Sequence, residues 1–221
     1  MKNTICRTQP LSLGDVALAA ELTVPATARG LVVFVHGSGS SRLSPRNRAV
    51  ASGFNWRGLA TLLFDLLTED EQRRDEVSRA LRFDIPLLSG RLVEVIDGLN
   101  NDAELRYLGY GLFGASTGAA AALQAAASRP QAIQALVCRG GRSDLAGAAL
   151  EAVAAPTLQI VGGEDPVVLC LNREASRQLH CVHQLAVISG ATHLFEEPGA
   201  LEEVARLAGD WFERYIGGSA G

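Results

Sequence analysis

The chain has 221 residues, 48% hydrophobic and 20% charged, with a formal net charge of −4. That balance is the one expected of a single globular domain with a sizeable core, over residues 1–216, followed by a flexible tail at 217–221. No basic block points to nucleic acid and no polybasic flank to an anionic membrane. The start, MKNTICRTQP, lacks the apolar core of a signal peptide, and no apolar run approaches the roughly 18–20 residues that span a bilayer. Four scattered cysteines, Cys6, Cys138, Cys170 and Cys181, are expected as reduced thiols in the cytoplasm. The grouping of Cys170, His180, Cys181 and His183 fits no familiar zinc spacing and reads as packing and surface residues.

In chain order, two strands are expected first, about Thr4–Leu11 and Val16–Val24, split by a turn at Gly14-Asp15. Short, wholly apolar runs follow at Leu31–Val35, Ala60–Phe64, Leu108–Phe113, Ala135–Cys138, Thr157–Val161 and Leu185–Ile188. Each reads as a strand buried on both faces of a parallel sheet. Helical spacing runs over Val77–Leu99, with a start or break at Pro86 and Asp84 as N-cap, over Ser116–Ser128, over Asn172–Leu179 and over Leu201–Tyr215. Only a short or frayed helix is expected in Ala49–Gly58, because a mid-helix glycine such as Gly53 costs roughly 1 kcal/mol against alanine. Alternating strands and helices predict an α/β fold with a mostly parallel eight-stranded sheet.

Gly114-Ala115-Ser116-Thr117-Gly118 spells G-x-S-x-G between an apolar run and an alanine-rich helical run. Strand, sharp turn and helix make a nucleophile elbow, which lifts the Ser116 hydroxyl above the end of the sheet. A serine needs a base, and the base needs an orienting carboxylate. Of the four histidines, His193 lies in a loop after the last strand, at the sheet end where α/β folds bind ligands. Asp165, in VGGEDP after the preceding strand, is the expected acid, with Asp144 the main rival and Glu164 a weaker one. The backbone N–H groups of Thr117 and Ser38, the latter in the HGSGSS loop with Gly39 as the alternative, are the expected oxyanion donors. His36 reads as an anchor of that loop.

Together these segments resemble the α/β-hydrolases and, within them, the dienelactone hydrolase-like group. The resemblance covers about Leu18 to Tyr215 and rests on HGSGSS with SPRNR following, FDLLT at 64–68, RFD at 82–84, GASTG, RGGR at 139–142, GGED and THLFEEPG. It implies the α/β-hydrolase fold, the triad Ser116, Asp165 and His193, and hydrolysis of a small ester or lactone. Dienelactone hydrolase itself uses a cysteine nucleophile, and here the position is Ser116.

In the expected mechanism, His193 takes the Ser116 proton, an acyl-enzyme forms and water releases it, without metal or organic cofactor. Two alternatives share the fold: an acyltransferase or perhydrolase using the same triad, and a non-catalytic binding protein. The expected partner is a small-molecule ester or lactone, with the chain a monomer or homodimer. Arg42 and Arg139 are candidates to hold a substrate carboxylate, although pairing with Asp65, Asp84 or Asp144 is the favoured role for these arginines. With no separate cap domain expected, Glu69–Glu76 (EDEQRRDE) is the one candidate lid, read first as a solvated loop or helix start.

Overall fold

The computed structural model describes residues 4–14 and 16–217. Asp15 of the expected first turn and residues 218–221 of the expected tail lie outside the described residues. The strands are β1 (Ile5–Leu13), β2 (Val16–Val24), β3 (Gly30–Val35), β4 (Ala60–Phe64), β5 (Gly109–Ala115), β6 (Ile133–Arg139), β7 (Thr157–Gly162) and β8 (His183–Ile188). The helices are α1 (Pro45–Trp56), α2 (Glu69–Ser78), α3 (Ile85–Asn101), α4 (Thr117–Ser128), α5 (Ala149–Ala152), α6 (Pro166–Ser176) and α7 (Ala200–Tyr215), with 3-10 turns at Leu81–Phe83 and Ser143–Ala146. One eight-stranded sheet runs in the order β1-β2-β4-β3-β5-β6-β7-β8. β1, β2 and β4 pair antiparallel, and every pair from β4 through β3 to β8 is parallel.

Strands β3 to β7 are buried almost throughout, which accounts for their unbroken apolar runs. One core lies beneath α3 and α4, where the alanines Ala119–Ala122 let α4 approach closely. The other lies beneath α1 and α7, around Phe34, Phe54, Phe113 and Phe212. Among the described residues no helix is long and apolar enough to cross a membrane.

Three expectations need correction. First, α1 is a full helix of 12 residues, not a frayed fragment. Ser44 caps it by accepting the Asn47 N–H, and Pro45 opens it. Phe54 then locks it to α7 by an edge-on contact with Phe212 at 5.4 Å, which offsets the weak propensity of Gly53. Second, β8 is the sheet edge rather than a strand buried on both faces, and Val187 is 47% exposed. Third, α6 begins at Pro166, six residues before the expected start, because Asp165 caps it.

EDEQRRDE forms most of α2, so the helix-start reading holds. Thr68 and Glu71 make a reciprocal capping box, and three acidic residues occupy the first turn. Two further interactions pin the segment. Glu71 pairs with Arg91 of α3 through two bonds, at 2.6 and 2.7 Å, and Asp75 pairs with Arg82 at 2.5 Å. Hydrogen bonding from Arg91 holds the Glu71 carboxyl down at about 2, against 4.5 ordinarily. A carboxyl depressed in the folded state contributes stability in full above its unfolded value. That contribution is lost as pH falls from about 4.5 to about 2. Urea unfolding across that range should show a shallower fall for Glu71→Gln than for wild type. Equal slopes would mean that the pair contributes nothing.

Candidate active site

Ser116 follows β5 and precedes α4 with φ 51° and ψ −121°, outside the ordinary regions for an L-residue. Its neighbours hold it there. The Ser116 N–H donates to the Arg139 carbonyl at 3.1 Å, and its own carbonyl accepts the Arg142 and Ala119 N–H groups at 3.0 and 3.1 Å. Both glycines of the motif are required by close approach. A Cβ on Gly114 would stand 2.6 Å from Ala119 Cα, and one on Gly118 would stand 2.3 Å from the Val35 carbonyl oxygen. The side chain of Ser116 projects at the carboxyl end of β5, half-buried.

Asp165 and His193 come together. The His193 Nδ1 bonds Asp165 Oδ2 at 2.7 Å, and Val168 N–H donates to Asp165 Oδ1 at 3.3 Å. One carboxylate therefore caps α6 and orients the imidazole. The two loops are joined by backbone bonds from Gly163 to Ile188 and from Glu164 to Ala191. Ser116 and the imidazole flank the same turn. Arg139 holds the Ser116 amide, and a Cβ on the next residue, Gly140, would lie 3.4 Å from His193 Cε1. No hydrogen bond joins Ser116 Oγ to His193 in this structure. The acid rival Asp144 spends both oxygens on Arg142, at 2.9 and 2.8 Å.

The loop after β3 lies against the elbow. The Ser38 N–H donates to Thr117 Oγ1 at 2.8 Å, so its present acceptor is the hydroxyl of the residue after Ser116. Thr117 opens α4, where a helix has no carbonyl to offer its first N–H groups and carries partial positive charge. His36 anchors the loop: Leu66 N–H donates to its Nε2 at 3.0 Å, which leaves the proton on Nδ1, bonded to the Gly37 carbonyl at 2.9 Å. Burial pushes its pKa down, so the ring is neutral in this role. A cleft of about 290 Å³ opens between this loop and α2, lined by Ser38, Gly39, Gln72, Asp75, Arg79 and Arg82. Among the described residues no group of three or more His, Cys, Asp or Glu side chains is arranged to hold a metal.

No family model matches the chain. A dienelactone hydrolase from Anabaena variabilis, known as a crystal structure, is 52% identical, with 96% of this chain and 99% of that one covered at a TM-score of 0.95. The chain belongs to the dienelactone hydrolase-like family of α/β-hydrolases. Est1E from Butyrivibrio proteoclasticus shares the fold at 17% identity, with a TM-score of 0.78 over 94% of this chain and 98% of that one. Two Mycobacterium tuberculosis proteins, each named "Putative phosphoribosyl transferase", are 55% identical over 205 residues, which is 93% of this chain and 45% of theirs. The chain thus spans less than half the length of those curated relatives.

Within this dienelactone hydrolase-like site the two candidate arginines part ways. Arg42 is taken up by local acids: its backbone N–H and guanidinium bond Asp65, and Glu21 lies 3.7 Å from its Nε. That is the favoured pairing role. Arg139 has no acid partner among the described residues. Its Nε and Nη1 are buried without a hydrogen bond, the guanidinium lies 6.0 Å from the Phe195 ring centre, and burial beside Arg46 pulls its pKa down to about 10. Nothing in the sequence singles out Arg139 as the unpaired one, since the acids that take up Arg42, Asp65 and Glu21, lie more than 20 residues away along the chain.

The close approach at Gly118 gives a test with a built-in contrast. Gly118→Ala places a methyl group against two backbone oxygens, at 2.3 and 2.4 Å, and should cost about 1–3 kcal/mol or more in urea unfolding. Gly98→Ala, in α3 with nothing within 4 Å of the added carbon, should instead stabilise by roughly 0.5–1 kcal/mol. Equal effects would contradict the close packing of the elbow.

Proposed function

We propose that this chain is a serine hydrolase that cleaves a small ester or lactone through an acyl-enzyme. The observation that carries the proposal is the strained Ser116 elbow sharing one turn with the His193–Asp165 pair. Asp165 accepts the Nδ1 proton of His193, which leaves the Nε2 lone pair for the serine. His193 removes the hydroxyl proton as Ser116 Oγ attacks the carbonyl carbon, and the imidazolium formed is stabilised by the carboxylate. Hydrogen bonds between nucleophile and base are often loose before substrate binds and tighten in the complex.

Negative charge on the former carbonyl oxygen is met by the Thr117 and Ser38 N–H groups. The oxyanion replaces Thr117 Oγ1 as the acceptor for Ser38. His193 then returns its proton to the leaving alcohol, and the same base activates the water that releases the acid. Donors and base all belong to the chain, so this sequence of steps calls on no cofactor.

The phosphoribosyl transferase name is given to proteins of which this chain spans 45%. For this stretch, the serine elbow and the His–Asp pair favour acyl chemistry. On the substrate side, Arg42 is spent on Asp65 and Glu21, and Arg139 is the guanidinium that remains for a carboxylate.

Ser116→Ala should lower kcat on a small activated ester such as p-nitrophenyl acetate by about 10⁴–10⁶ while the protein stays folded. Retention of wild-type turnover by that variant would overturn the reading.

A further inference from the structure

A second cluster of polar side chains lies beneath the site, with no exposure to solvent. Ser143, Gln159 and Asn172 are each 0% exposed. Asn172, on α6, uses its whole amide. Its Nδ2 donates to the Gly141 carbonyl at 2.7 Å and to Val168 at 2.8 Å. Its Oδ1 accepts from Ser143 Oγ at 2.9 Å and from Gln159 Nε2 at 2.8 Å. Ser176 Oγ completes the set by donating to Gln159 Oε1 at 2.5 Å.

A fully satisfied buried amide is costly to assemble, and an aliphatic side chain of similar size would fill the same space without that cost. The polar choice acquires a use from what it joins. On one side, Gly141 and Ser143 belong to the turn whose Arg139 carbonyl and Arg142 N–H fix the two ends of Ser116. On the other, Asn172 stands on α6, whose first turn is capped by Asp165, and Asp165 holds His193. Among the described residues, the hydrogen bonds that join the serine turn to α6 are those of Asn172 with Gly141 and Ser143.

We propose that Asn172 is a positioning residue, which sets the separation of Ser116 from the His193–Asp165 pair, with Ser143 and Gln159 fixing its rotamer. The proposal rests on the serine hydrolase reading above. Asn172 touches no substrate. It acts through Asp165 and the serine turn, where a displacement of about 1 Å between reacting groups can cost on the order of 100-fold in rate.

The experiment is a double-mutant cycle on p-nitrophenyl acetate hydrolysis by the full chain, with circular dichroism to establish folding. Asn172→Leu should lower kcat by about 10–100-fold and leave KM within about 3-fold. In an Asp165→Asn background the same change should cost less than about 2-fold, because the group it positions has been disabled. If Asn172→Leu does not fold, Ser143→Ala decides: it leaves Gln159 as a donor to Asn172 Oδ1, and should give a smaller loss of kcat that again vanishes with Asp165→Asn. Folded variants with wild-type kcat, or losses that multiply unchanged in the Asp165→Asn background, would overturn the positioning role alone. Wild-type protein that neither turns over the ester nor reacts with a fluorophosphonate would overturn the hydrolase reading, and this proposal with it.

Discussion

The backbone of Ser116 turns through φ 51° and ψ −121°, a conformation that costs an L-residue on the order of 1–3 kcal/mol. Such a conformation persists only where its surroundings over-determine it. Here the surroundings are three hydrogen bonds to the serine backbone and two glycines without which β3, β5 and α4 could not meet. The same turn that strains Ser116 sends the chain into α4, so the N–H groups beside the hydroxyl are those a helix leaves unpaired. On the proposed reading, nucleophile and oxyanion donors are therefore consequences of one local constraint.

The remaining groups arrive by the same geometric logic. Each parallel strand from β3 to β8 ends at one edge of the sheet, and the loops leaving β3, β5, β6, β7 and β8 carry Ser38, Ser116, Gly140, Asp165 and His193. Several residues serve twice. Asp165 caps α6 and orients His193, so the stability of a helix start and the aim of an imidazole are tied together. His36, neutral and buried, fastens the loop after β3 to the end of β4. The antiparallel pair β1 and β2 extends the sheet away from this edge and supplies none of the groups.

Much of this was legible in the residues. Strands buried on both faces announce themselves as unbroken apolar runs, and G-x-S-x-G between a strand and an alanine-rich helix places the elbow. Asp165 and His193 follow from their positions after successive strands. What escaped were signals of another kind. α1 is fuller than Gly53 suggests because Ser44-Pro45 supplies a cap and first-turn pair, and because the contact between Phe54 and Phe212 spans 158 residues of sequence. Asp165-Pro166 is a similar start signal, masked by the expected role of the aspartate. Thr68 and Glu71 spell a capping box in plain view. The exposure of β8 could not be read from LAVI, because an edge position is a property of sheet order. Nor could the sequence say that Arg42 finds carboxylates while Arg139 does not, since both depend on distant side chains.

On the proposed reading the chemistry is bound to backbone geometry, and a cleft between the β3 loop and α2, lined by Gln72, Arg79 and Arg82, opens beside the Ser38 donor. The proposed role of Ser116 as nucleophile can be tested without knowing the substrate. Treating the folded protein with a fluorophosphonate and mapping the adduct by peptide mass spectrometry tests it directly. One phosphonyl group is expected, on Ser116, formed by the folded chain and not by the chain unfolded in urea. No adduct, or an adduct on a different residue, would contradict it.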